Sequence, residues 1–393
     1  MAPDSVDEGR DHGLAGFLAP AAGSLALSLL LAPLGGHPYD MEVWLKTGRL
    51  MAEGRDIYSP PDHIGYPPSW AYICLAAYYV YTALGEQAWR VAVKLPLLVL
   101  VPLTAYEVYK LTGRYECYII TLCSGPLYLV SSVWGQINVV SAYFAVRFLR
   151  KLERNSLRGV LDLSASLSFK PIYVILLPYL AASYGPRRFA AALPLLASIP
   201  AAVTAATIAA GRASLETFLD TMYYQPMRLE LTGYGLMNIW SFLALFPQYR
   251  PNPLASQVWI PVIAALGIYL GRRGCPPPRA ALALLAAYMA LYPWVSEATL
   301  LDACVLAAPL IARGIDARPL ALLVAAGTLF NVLNGGLKML GGLSRVASEV
   351  YLRYGGLIWM LRGIMGLVCT VFSLCLLAEA IHPAPREAYR RSS

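Results

Sequence analysis

Apolar positions along the chain come in long unbroken runs. They show neither the alternation of a half-buried strand nor the one-sided stripe of a soluble helix. The runs lie near residues 14–34, 90–109, 116–133, 137–150, 158–169, 171–184, 188–210, 256–271, 279–293, 298–313, 318–334 and 357–380. Helices apolar on all sides belong in a protein core or a bilayer, and ~20 such residues cross the hydrocarbon. Polar residues punctuate the runs in a regular way. Basic clusters fall at Lys110/Arg114, Arg147–Arg158, Arg187/Arg188, Arg272/Arg273/Arg279, Arg313/Arg318 and Arg386/Arg390/Arg391. Cytoplasmic loops collect Lys and Arg. If each run crosses once from an inside N-terminus, every cluster lands in the cytoplasm. The pattern therefore predicts an all-α, polytopic integral membrane protein with about twelve transmembrane helices and amphipathic helices in its outer loops.

That parity needs residues 67–84 to stay on the outer face. Trp70 and Tyr72, Tyr78, Tyr79 and Tyr81 suit an interfacial, half-buried helix. It also needs the two short runs around Lys170-Pro171 to form a hairpin, because proline breaks a helix. The first run is expected to be a retained helix rather than a secretory signal, since Asp4, Asp7, Glu8 and Asp11 precede it where a signal carries positive charge. The chain then reads as one domain over 1–393. Residues 35–89 form the first outer loop, 90–312 a core, and 313–393 variable C-terminal helices.

Composition sharpens this picture. The chain is 58% hydrophobic and 14% charged, with a mean hydropathy of +0.54. A soluble domain carries about 25% charge, so a soluble protein is excluded. The net charge of +8 is accounted for by topology, so no nucleic-acid partner is expected. The 7 cysteines are scattered and mostly apolar-flanked. They form no CxxC and indicate neither a disulfide framework nor structural zinc.

With that sidedness, every chemically unusual residue falls on the outer face. Asp40 and Glu42 open a stretch of helical periodicity, where carboxylates either cap the helix against its dipole or supply a general base, with or without a metal. Lys170 sits at a helix break at membrane depth. Such a charge either snorkels or contacts a ligand, here a lipid phosphate. Lys94, Glu107 and Arg147 fall in or near spans, where a near-terminal Lys or Arg snorkels, and Trp240 reads as an interface anchor. Gln136 and Asn138 read first as interhelical hydrogen-bonders. Asp302 lies one turn beyond Glu297, where it can share a cavity. His37 and His63 have no metal-pair spacing, and Tyr223, Tyr224, Arg228 and Glu230 offer an acceptor or lipid clamp.

The order of these residues resembles the GT-C superfamily of membrane glycosyltransferases. The residues concerned are Asp40-Met-Glu42, Gly54-Arg-Asp-Ile-Tyr58 and Tyr66-Pro67-Pro68, then Gly135-Gln136, Lys170-Pro171, Met237-Asn238-Ile239-Trp240 and Trp294-Val-Ser-Glu297. The spacing is most similar to the GPI mannosyltransferase I type and archaeal dolichyl-phosphate-sugar-dependent mannosyltransferases. It covers roughly residues 35–312. Two positions depart from the family pattern: Glu42 stands for an Asp, and Ser296 and Ala298 stand for a His and a basic residue beside Glu297. The resemblance implies an inverting transferase that moves a sugar, most simply mannose, from a dolichyl or polyprenyl phosphate. The acceptor would be a lipid-linked or surface glycan at the extracytoplasmic face of the cell membrane (the lumen in a eukaryote). Asp40 would be the catalytic base. Glu42, Gln136, Lys170 and Glu297 would bind substrate, and Asp40 with Glu42 could hold Mg²⁺ or Mn²⁺. The rival readings are a lipid or solute transporter, against which no inverted repeat is visible, and a non-catalytic relative serving as a subunit.

Overall fold

The computed structural model describes residues 13–59, 64–154, 156–224, 237–246, 248, 257–334, 336 and 344–382. Among these residues every regular element is helical, as runs apolar on all sides require. The first helices are Leu14–Leu31 (α1), Pro38–Glu53 (α2), Ser69–Leu84 (α3), Glu86–Thr112 (α4) and Tyr115–Leu122 (α5). Gly125–Trp134 (α6) winds as a π-helix over Leu129–Trp134. Asn138–Glu153 (α7) and Gly159–Phe169 (α8) follow, then Pro171–Tyr184 (α9), Pro186–Ala209 (α10) and Leu215–Tyr224 (α11). The last are Ile239–Leu243 (α12), Trp259–Arg272 (α13), Pro277–Leu291 (α14), Thr299–Ile311 (α15), Arg318–Leu333 (α16) and Ser344–Ile381 (α17).

Four segments are long and apolar enough to cross a membrane: Leu14–Leu34, Glu86–Thr112, Pro186–Ala209 and Arg345–Ile381. A fifth forms if α5 and α6, bent by 55° at their junction, act as one broken span. The other apolar helices run 10–17 residues, short of a full crossing of ~20. The protein is thus a helical membrane protein, and helix length by itself does not deliver the expected twelve crossings.

Two of the shorter helices are also the most enclosed. α14 and α15 are buried along nearly their whole length and form the centre of the molecule. α7 packs beside them, α8 lies against α7 and α10, and α9 lies against α13. As expected, the chain breaks at Lys170-Pro171, where Lys170 is extended (φ −147°, ψ 114°). α3 lies on α2 and α4 through Trp70, Ala71, Cys74 and Ala77. Gly48 makes that contact possible: a side chain there would overlap the Cys74 carbonyl.

The bundle has two chemically distinct ends. α7 runs from Asn138 to Arg150 and Lys151, and α8 returns from Asp162 to Lys170. α14 starts at Arg279 and leads to Tyr292, and α15 starts beside Asp302 and leads to Arg313. Of these four helices, one set of ends brings Asn138, Lys170 and Asp302 together, and the other carries arginines.

The sequence assigned Lys94 to snorkelling, and the structure corrects this. Lys94 is fully buried, and its ammonium donates to the carbonyls of Ala32, Gly35 and Val133, each at 2.7 Å. All three ammonium donors are used. Two acceptors, Ala32 and Val133, sit at the C-terminal ends of helical segments, where the helix dipole favours a cation. Trp240 is likewise buried, not an interface anchor, and donates to Leu291 O at 2.8 Å.

Candidate active site

α2 begins where the chain is pinned from both sides. The His37 N–H donates to Trp134 O at 3.1 Å, and Lys94 holds the Gly35 carbonyl just before it. On the other strand of this clamp, the π-wound turn ends at Gly135 with φ 79°. Such a conformation favours glycine, and π-turns cluster at functional sites. The Trp44 indole N–H donates to Gly135 O at 3.3 Å. Gln136 is thereby aimed at the first turn of α2.

There Gln136 Nε2 donates to Asp40 Oδ2. His37 Nδ1 lies 2.7 Å from the same oxygen. The Asp40 N–H also points at His37 Nδ1, at 3.3 Å. Asp40 is thus buried and doubly held. The His37 ring is half-buried. Burial pulls its basicity down, but the charge and hydrogen bond of Asp40, helped by Glu297, outweigh this and raise its pKa above the ordinary value.

A second set of bonds converges on the same space. Lys170 Nζ donates to Asn138 Oδ1 at 2.7 Å, and Asn138 Nδ2 donates to Asp302 Oδ2 at 2.6 Å. Tyr173 O–H donates to Asp302 Oδ1 at 2.8 Å. Lys170 lies 5.4 Å from the centre of the Tyr66 ring and within the electrostatic reach of both Asp302 and Asp40. Tyr66 is fixed in turn, since Tyr58 O–H donates to its carbonyl at 2.9 Å. Asp56 ties this loop to the start of α11 through Ser214 N at 3.2 Å and Thr217 Oγ1 at 2.8 Å.

The sequence candidates sort as follows. Asp40, Gln136 and Lys170 come together. Glu297 stands close enough to act on His37 and does not cap α15: its Oε1 accepts from Asn331 at 3.2 Å and Asn334 at 3.1 Å. Glu42 is exposed. Two residues along a helix turn by roughly 200°, so it does not converge with Asp40, and the pair does not fit a shared cation site. Among the described residues no group of three His, Cys, Asp or Glu side chains is placed to hold a metal ion. Asn238 serves the fold, donating to Met289 O at 3.1 Å and Tyr292 O at 2.6 Å. His63, Arg228 and Glu230 lie outside the described residues.

Sequence reasoning passed over His37 and gave Asn138 and Tyr173 no role in the site. Only the position of His37, three residues before Asp40, could have signalled it, because that spacing pairs an N-cap with the first turn. An open apolar groove of about 560 Å³ lies between α3, α8 and α10. Tyr72, Phe169 and Val203 line it, and Phe169 adjoins Lys170. No protein-family model matches the chain, and no curated protein matches it either.

Proposed function

We propose that the protein is an inverting glycosyltransferase of GT-C type. It would move a sugar, most simply mannose, from a dolichyl or polyprenyl phosphate to a lipid-linked or surface acceptor at the extracytoplasmic face. The observation that carries this reading is the convergence of a buried carboxylate, Asp40, with a half-buried cation, Lys170.

The chemistry asks for these two groups. A phosphate-linked sugar already has a good leaving group, so the enzyme must deprotonate the acceptor and neutralise the departing phosphate. The base is centred on Asp40. Lys170 faces the phosphate, and the groove beside Phe169 suits the isoprenoid chain that carries it. Gln136 holds Asp40 with its N–H, while its own Oε1 is buried without a partner among the described residues. Asp302 and Asn138 keep Lys170 in place. With the arginine-rich end in the cytoplasm, this constellation lies outside.

The test is transfer from radiolabelled lipid-phosphate sugars, offered one at a time, to native lipid extracts by the purified protein. Transfer from one donor that is abolished in Asp40→Asn supports the reading. No transfer from any donor, with lipid or solute movement across vesicles instead, moves the protein to the transporter class.

A further inference from the structure

The two groups at the head of α2 differ in what they can reach. The Asp40 side chain is 12% exposed and that of His37 is 30% exposed. Oδ2 of Asp40 is occupied by Gln136 and by His37 Nδ1. Two lone pairs do not rest 2.7 Å apart, so a proton lies between Nδ1 and the carboxylate, and the protonated Nδ1 does not also accept from the Asp40 N–H that lies 3.3 Å away. With Nδ1 committed to Asp40, the second ring nitrogen, Nε2, points away from the carboxylate. Among the described residues it has no partner. The backbone that carries the ring is fixed: the His37 main-chain N–H donates to Trp134 O, and its carbonyl accepts from the Met41 N–H at 2.9 Å.

We propose that His37 is a catalytic residue: its Nε2 takes the proton of the acceptor hydroxyl, and Asp40 holds the ring through Nδ1–H. This rests on the glycosyl-transfer reading above. As the acceptor oxygen bonds to the anomeric carbon, its O–H bond breaks and the proton passes to Nε2. The bond from the anomeric carbon to the phosphate oxygen breaks at the same time, and the electron pair leaves on the phosphate beside Lys170. The imidazolium formed is paired with Asp40 and then returns its proton to solvent. Orientation of a histidine by a buried carboxylate fixes its tautomer and stabilises its charged form.

Basicity favours the imidazole over the carboxylate. A free carboxylate has a pKa near ~4 and imidazole ~6.5, and an efficient general base has a pKa near the working pH. The charges around His37 act in the same direction. Asp40 on α2 and Glu297 ahead of α15 raise its pKa. From α4, the Lys94 ammonium is tied up in the carbonyls beneath the Gly35–Gly36 turn, and Arg90 lies beside Gly36 but pairs with Glu86 at 2.7 Å. Lys170 faces Asp40 from the end of α8.

Two measurements test this on the full-length protein in detergent or nanodiscs. In ¹⁵N-histidine spectra the chain has only 4 histidines, so His37 can be assigned by elimination even if a His37 variant fails to fold. The expected neutral tautomer is Nδ1–H, opposite to the Nε2–H form that free imidazole side chains prefer. An Nε2–H tautomer overturns the proposal. Kinetically, His37→Gln should lower kcat by at least about 100-fold, leave donor KM within about threefold, and remove the acid limb of the pH–rate profile. A His37→Gln enzyme that keeps its rate and its acid limb while Asp40→Asn is inactive puts the proton on the carboxylate and overturns the proposal, with glycosyl transfer intact. A wild type that transfers no sugar overturns the reading and the proton path together.

Discussion

The two ends of the helix bundle handle buried carboxylates in opposite ways. At the arginine-rich end Glu107 meets both Lys110 and Arg150, the latter at 3.2 Å. Asp162 meets Arg147 at 3.2 Å and Lys151 at 2.5 Å. Each carboxylate there has two cations. At the other end Asp40 is held by an amide and an imidazole, Asp302 by an amide and a phenol, and Glu297 by two amides. Lys170 lies within electrostatic reach of Asp40 and Asp302, and Arg362 reaches Glu297 only through Asn334, to which it donates at 3.0 Å. A carboxylate flanked by two cations is neutralised and inert, and it fastens helices. A carboxylate held by amide, phenol or imidazole donors is left without a lysine or arginine in ion-pair contact among the described residues. The first arrangement builds a bundle, and under the proposed transfer reaction the second supplies the groups for proton transfer and for an incoming phosphate.

The comparison breaks first at Asp40. Asp40→Asn keeps the size and most hydrogen bonds but removes the charge, and loss of a general base or of its partner costs about 10²–10⁴ in rate. The thermal midpoint should hardly move, since no ion pair with a strong cation is lost. Transfer within about threefold of wild type by the purified variant would mean that the neutral-donor end is structural after all.

Lys94→Met is the next largest effect and belongs to stability. The variant leaves three buried carbonyls without a donor at the junction of α1, α4 and α6, and breaking a buried, hydrogen-bonded charge costs about 3–5 kcal/mol. Denaturation in detergent should show it. A loss under about 1 kcal/mol would mean that water replaces the ammonium at Ala32, Gly35 and Val133.

These two residues also show what a sequence can reveal about such a protein. The helical fold was legible because apolar runs and basic punctuation are local signals, and the break at Lys170-Pro171 was legible because proline acts on its own neighbours. Asp40, Gln136 and Lys170 were legible as candidates because polar residues among apolar ones stand out. Their bonds were not. Asp40 and Gln136 are 96 positions apart, and Asn138 and Asp302 are 164 apart, so only packing could join them. Lys94 looked like any lysine near a span end, because its three acceptors are main-chain carbonyls and carry no side-chain signature. Helix length adds less: four segments are long and apolar enough to cross a membrane, and the other apolar helices run 10–17 residues.

At the inert end, Asp162→Asn should separate stability from activity. Its partners Arg147 and Lys151 are 31% and 27% exposed, so solvent compensates them in part, and the loss should be about 2 kcal/mol. The rate per folded molecule should stay within about twofold, because nothing at the Lys170 end touches this pair. A variant of normal stability but low activity would show that the two ends are coupled through α7 and α8, which run between them.

The smallest effect is expected at Glu42, and it decides how far the neutral-donor site extends. Glu42 lies two residues beyond Asp40 on α2 but is exposed, roughly 200° around the helix from it. If the site is the cluster described, Glu42→Gln should change transfer by less than about threefold, because an exposed charge outside the site adds little. EDTA should leave wild-type activity unchanged, since Asp40 and Glu42 do not converge on a cation. A loss in Glu42→Gln as deep as in Asp40→Asn, together with inhibition by EDTA that Mg²⁺ or Mn²⁺ reverses, would require α2 to turn on binding substrate. The first turn of α2 would then have to release the Gln136 bond that holds Asp40. The bound state would resemble a metal-held carboxylate pair, and the contrast between the two ends would describe only the resting protein.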